Sequence, residues 1–86
     1  MEELIIIKRD GKTESFSIDK IKNAISKAFL SVGAFATEET LTAVLGHLSI
    51  HAGMTVEEIQ NQVEFALMAE RYYRVAKAFI LYRQKH

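Results

Sequence analysis

The sequence predicts an α+β fold in which a small β-hairpin or three-stranded sheet caps a four-helix bundle, and three observations predict it. Leu4, Ile5, Ile6 and Ile7 form an apolar run rich in β-branched residues, with turn chemistry at Arg9-Asp10-Gly11-Lys12 before Thr13 to Phe16. Four later stretches repeat apolar residues at helical spacing, with short polar connections between them. The chain has 86 residues, 49% of them hydrophobic and 26% charged, which makes one small globular domain over residues 1–86.

The hairpin comes first, and because two strands alone are marginal in water it must lean on the helices. Ser17 stands where a residue can cap a helix beginning at Ile18, whose apolar positions Ile21, Ala24, Ile25, Ala28, Phe29 and Val32 recur until Gly33. Thr37 opens the second helix with Glu38 and Glu39 in its first turn. Leu41, Val44, Leu45 and Leu48 carry its apolar face, and Gly53 ends the stretch. Thr55-Val56-Glu57-Glu58 is a capping box, Thr followed three residues on by Glu, and it opens a third helix with Val56, Ile59, Val63, Ala66 and Leu67 inward. The pattern resumes at Tyr72, Val75, Ala76, Phe79 and Ile80 for a fourth helix running to about the C-terminus. Connections of roughly 2 to 6 residues make neighbouring helices largely antiparallel.

Composition narrows the function classes. An 86-residue chain is too short for a multidomain enzyme with its own cleft and favours a binding or interaction module. Without cysteine there are no disulfides, thiolate metal sites or cysteine nucleophiles. Glu2 and Glu3 precede the first apolar run where a signal peptide would be basic, and no run approaches a membrane span, so the expected location is cytoplasmic.

A formal net charge of +0 hides a segregation along the chain. Lys8, Arg9, Lys12, Lys20, Lys22 and Lys27 lie near the start, and Arg71, Arg74, Lys77, Arg83 and Lys85 near the end. Between Ala28 and Glu70 there is no Lys or Arg. If the fold brings the two basic ends together, their cations converge on an anion site. Lys20 falls in the first turn of a helix, where a cation opposes the dipole, so it joins Lys8 and Arg9 as a candidate phosphate ligand beside free helix N–H groups. The bland reading of Lys8 and Arg9 is solvated charge on an edge strand.

No other chemistry assembles from the residues. The 4 glycines form neither a phosphate-binding loop nor a dinucleotide fingerprint. His47 and His51, four apart on the expected second helix, lack a third ligand and read as surface histidines; no metal site is expected. Glu57 and Glu58 suit the helix dipole better than acid–base catalysis, and no catalytic residue is assigned.

Ile7-Lys8-Arg9-Asp10-Gly11, then Glu14 and Phe16, Asp19-Lys20-Ile21, Val56-Glu57-Glu58-Ile59-Gln60 with Val63-Glu64, and Val75 to Arg83 together resemble the ATP-cone, from about Leu4 to Arg83. The resemblance implies a small sheet over four helices, and a non-hydrolytic, non-catalytic domain that binds ATP or dATP as allosteric ligand, with Mg2+ allowed beside it. It further implies control of overall activity in a ribonucleotide reductase, an oxidoreductase of deoxyribonucleotide synthesis, of which this chain would be the N-terminal piece. The catalytic domain of that reductase and a cone-mediated oligomer are the implied partners, with no nucleic acid and no membrane. By the same resemblance Ile6 and Ile7 lid the adenine, and Glu14 and Ser17 contact base or ribose. Ser17 stands where some members carry Asn, and Gln60 where some carry His. Lys8, Arg9 and Lys20 match the phosphate ligands, Lys85 a basic C-terminal position, and Ile18 and Ile21 apolar pocket residues.

Two alternatives stand beside this reading. One is a helical protein-interaction module with Tyr72, Tyr73, Phe79 and Tyr82 as its contact surface. The other is the ATP-cone of a nucleotide-responsive transcriptional repressor, against which counts the lack of zinc-ribbon cysteines ahead of the first strand.

Overall fold

In the computed structural model, residues 4–85 are described, Lys85 by its backbone alone. Strands β1 (Ile5–Ile7) and β2 (Thr13–Ser15) form an antiparallel hairpin in the register Ile5 to Ser15, Ile6 to Glu14 and Ile7 to Thr13. Its turn is closed by the Gly11 N–H donating to the Lys8 carbonyl at 3.0 Å, and Gly11 then takes φ +85°, which glycine adopts without steric penalty. Side chains alternate across a strand, so Ile6 is buried on one face beside its half-buried cross-strand neighbour Glu14, whereas Ile5 and Ile7 point to the other.

The helices are α1 (Ile18–Ser31), α2 (Glu38–Leu45), α3 (Val56–Ala69) and α4 (Tyr73–Lys85). Thr37 and Thr55 cap α2 and α3, each accepting at 3.1 Å from the N–H three residues on. The Glu58 carboxylate in turn accepts from the Thr55 hydroxyl, joining the two side chains of the Thr-x-x-Glu pair. Ser17 sits at the start of α1 with extended backbone, yet its side chain makes no capping bond. At the other end of α1 the N–H groups of Gly33 and Ala34 return to Leu30 and Phe29, with Gly33 at φ +77°. The same motif ends α3, but there Arg71 holds φ +65°, a conformation that costs a non-glycine residue roughly 1–2 kcal/mol.

The second helix is shorter than its apolar pattern suggests. α2 stops at Leu45, not near Gly53: the N–H groups of Gly46, His47 and Leu48 close it with local bonds to Thr42, Val44 and Leu45, and from Ser49 on tertiary bonds take over the backbone. The Gln62 side-chain amide both accepts from the Ser49 N–H and donates to the Ser49 carbonyl. Farther on, the Gly53 N–H donates to Ile5 and the Met54 carbonyl accepts from Ile7, drawing this segment along β1. The contact amounts to a single parallel bridge from Ile7 to Thr55; the sheet has two strands, and the three-stranded alternative is not formed among the described residues. His47 and His51 therefore lie off the helix, His47 against Glu70 at 2.8 Å and His51 on the Ala52 carbonyl.

α4 packs against α1 and α3, and α2 against α3. The main core joins Ile25 and Phe29 of α1, Leu41 and Val44 of α2, Val63 and Leu67 of α3, and Val75 and Phe79 of α4. A second, smaller core of Ile6, Met54 and Ile59 ties the hairpin down over the N-terminal ends of α1 and α3, and Ile21 packs against both. The seam between the two cores is where the surface opens. No described helix is long and apolar enough to cross a membrane.

The four aromatic residues of the interaction-module reading do not form one surface. Phe79 is 2% exposed, Tyr72 stacks edge-on against Phe29 with ring centres 5.1 Å apart, and Tyr82 turns toward the seam. Tyr73 alone of these four is well exposed.

Candidate functional site

The seam holds a cleft of about 160 Å³. Its walls are apolar, from Ile6 and Phe16 of the hairpin side, Ile21 and Ala24 of α1, Val56 and Ile59 of α3, and Phe79 and Tyr82 of α4. Polar residues contribute a minority of the lining, namely Glu14, Ser17, Lys20 and Gln60. A few polar groups placed around an apolar cavity is the usual make-up of a small-molecule site. The helices present these residues by spacing: Ser17, Lys20, Ile21 and Ala24 share one face of α1, Val56 and Gln60 lie one turn apart on α3, and Phe79 and Tyr82 are neighbours on α4.

A second groove continues outward from the cleft. It is lined by Lys8, Arg9 and Asp10 of the turn together with Glu14, Val56 and Gln60, and the last three also line the cleft. Apolar cleft and charged groove are thus one trough, floored by α3 and roofed by the hairpin.

Two of the cations here, Arg9 and Lys20, are held by local anions. The Arg9 Nε lies 3.0 Å from a Glu57 carboxylate oxygen, and its Nη2 donates to the Arg83 carbonyl at 3.2 Å and to the Gln60 side-chain oxygen at 3.5 Å. The guanidinium so caps the C-terminal end of α4, where a cation suits the helix dipole. Lys20 reaches Glu14 across 3.5 Å from a largely solvated position. Both pairs are accessible to water and therefore easily exchanged.

Of the residues that the sequence singled out, Ile6, Glu14, Ser17, Lys20, Ile21 and Gln60 line the cleft, and Lys8 and Arg9 the groove. Ile7 lies on the opposite face of its strand, and Ile18, exposed at the first turn of α1, does not line the cleft. The Lys85 side chain lies outside the described residues, while its backbone ends α4 two residues past Arg83. The expected meeting of basic ends occurs only in part. Arg9 contacts Arg83, but the Arg83 guanidinium is turned onto Glu64 and Asn61, and Arg71 and Arg74 lie at the far end of α4 beside Val32 and Ala34. Sequence reading did not single out Phe16, Ala24, Val56, Ile59, Phe79 or Tyr82 as wall residues, because at helical spacing an apolar wall looks like core. Nor did it pair Glu57 with Arg9.

A family model, the ATP cone domain, matches residues 4–86. Among curated relatives, the chain is 41% identical over 88 residues to a vitamin B12-dependent ribonucleoside-diphosphate reductase of Thermoplasma acidophilum, with 93% of this chain and 12% of that protein covered. It is 38% identical to the ribonucleoside-diphosphate reductase subunit alpha of Chlamydia pneumoniae, covering 94% of this chain and 9% of the relative. Identity is also 38% to an anaerobic ribonucleoside-triphosphate reductase of Haemophilus influenzae, covering 96% and 12%. The chain spans about a tenth of the length of these relatives. With a family match over residues 4–86 and a hairpin packed on four helices, the chain belongs to the ATP-cone family.

Proposed function

We propose that this chain is a non-hydrolytic ATP- and dATP-binding regulatory domain that controls the overall activity of a ribonucleotide reductase. The observation that carries this reading is the continuity of an apolar cleft with a charged groove that holds Lys8 and Arg9, the two joined through Glu14, Val56 and Gln60. Adenine lies against Ile6, Ile21, Ile59 and Phe79, and Glu14 and Ser17 meet its edge or the ribose. The triphosphate runs outward to Lys8, Arg9 and Lys20, with the uncapped first turn of α1 adding N–H groups to the same charge. Ile7 and Ile18 flank this position, and Lys85 is assigned the basic position near the helix end that Arg9 caps.

Hydrolysis is not part of this reading, since of the acids beside the cations Glu14 and Glu57 are paired to Lys20 and Arg9 as counter-ions and Asp10 accepts from the Lys12 N–H in the turn. The described residues gather no group of three or more His, Asp or Glu. Mg2+ would enter as companion of the triphosphate, held by its oxygens and by water. The relatives' names, B12-dependent, anaerobic and subunit alpha, belong to reductases of different kinds. A module shared among them supports a role in control.

ATP is expected to stabilise the chain against heat by about 2.7 kcal/mol at a hundred times Kd, on the order of 10 °C in midpoint. dATP should do so too, because a largely apolar site discriminates one hydroxyl by at most roughly a hundredfold. No shift with either nucleotide at millimolar concentration contradicts the reading.

The two nucleotides then differ in what they do to assembly. In the parent reductase, dATP is expected to favour an inhibited oligomer and ATP an active state. Light scattering and activity measured side by side check this, and identical mass and identical activity with both nucleotides contradict it.

A further inference from the structure

We infer that Glu57 sets the affinity of this trough for triphosphates by acting as a built-in competitor for Arg9. The inference rests on the nucleotide reading above. Glu57 and Glu58 are adjacent in the first turn of α3, about 100° apart around the helix, and they divide the work. Glu58 is engaged by Thr55 in the capping box. Glu57 takes no part in that cap, and its carboxylate meets the Arg9 Nε at 3.0 Å.

Glu57 stands beside the groove and not in its lining, but its carboxylate takes the Arg9 Nε, a donor that an incoming phosphate oxygen would need. Arg9 offers its Nε to Glu57 while its Nη2 is turned to the Gln60 side chain and the Arg83 carbonyl, so the Nε and Nη2 donors that a phosphate would take side-on are already partnered. Binding a triphosphate therefore exchanges one anion for another at Arg9, and the displaced carboxylate remains close enough to repel the phosphates. Arg9 and Glu57 side chains are 49% and 41% exposed, so the exchange is easy but not free. Lys20, 71% exposed and 3.5 Å from Glu14, is held more loosely. A site so arranged fills at a higher nucleotide concentration than its cations alone would set, which suits a regulator that must respond to changes in an abundant ligand.

The test is calorimetric titration of the 86-residue chain and of Glu57→Gln with ATP and with adenosine. Glu58→Gln serves as an equal change in net charge, one that keeps a capping-box residue. Glu57→Gln is expected to tighten ATP binding about three- to tenfold, to change adenosine binding less than about twofold, and to leave the thermal midpoint of the free protein nearly unmoved. Glu58→Gln should alter neither ligand by more than about twofold. Unchanged or weaker ATP binding by Glu57→Gln overturns the inference, as does an equal gain in both variants or with both ligands. Absence of ATP binding by the unsubstituted chain overturns the nucleotide reading and this inference together, so the two failures are told apart.

Discussion

Alanine at Arg9, Lys8 or Lys20 is expected to weaken ATP binding roughly ten- to a hundredfold each, the loss of one charge-assisted hydrogen bond at about 1.5–3 kcal/mol. All three bear on the polar side of the trough, Lys8 and Arg9 along the groove and Lys20 at the rim of the cleft. Their effects on folding differ. Lys20 is largely solvated, so its removal should leave stability nearly unchanged. Arg9 loses its bond to the Arg83 carbonyl and its exposed pair with Glu57, for which up to about 1 kcal/mol is expected. Lys77, exposed on α4 and outside both cleft and groove, is the suitable comparison. Lys27 is not, because its ammonium lies 6.0 Å over the ring of Tyr82, a wall of the cleft. Calorimetric titration of the four alanine variants measures this, and equal ATP affinity in all of them contradicts the phosphate assignment.

Phe79→Ala is expected to cost about 3–5 kcal/mol of folding stability, the range for truncating a buried aromatic side chain. A domain of this length holds roughly 4–13 kcal/mol in total, so the variant should lose at least about 12 °C in thermal midpoint or fail to fold at 37 °C. Phe79 is 2% exposed and belongs to the main core while forming the inner wall of the cleft. The same change therefore empties the surface against which adenine is placed, and any folded remainder should bind ATP weakly. Phe79→Leu keeps more of the volume and should retain more of both properties. Thermal denaturation with and without ATP measures the pair. A stability loss under about 1 kcal/mol contradicts the role of Phe79 as the point where core and cleft meet.

What could be read from the sequence was local. Thr37 and Thr55 declare their helix starts because a cap needs only the next three residues, and Gly11 declares the hairpin turn because few other residues take its backbone conformation. The end of α2 could not be read this way. Its apolar spacing continues through Leu48, but from Ser49 on the backbone is claimed by the Gln62 amide and by β1, partners distant in the chain. The site divides in the same manner. Lys8, Arg9, Glu14 and Lys20 stand out as charges or as motif positions, whereas Ile59, Phe79 and Tyr82 share a periodicity that core and cleft wall have in common. Glu57 looked like a dipole-favoured acid at a helix start; only the fold places Arg9 beside it.

Amide chemical-shift mapping of the chain titrated with ATP tests the central claim most directly, because it asks both whether nucleotide binds and where. The expected result is saturable shifts concentrated at Ile6, Lys8, Arg9, Glu14, Lys20, Ile21 and Gln60, with Phe65 and Met68 on the outer face of α3 and Tyr73 at the far end of α4 unmoved. Saturable shifts centred on those distant residues, or no shifts at millimolar ATP, would contradict it.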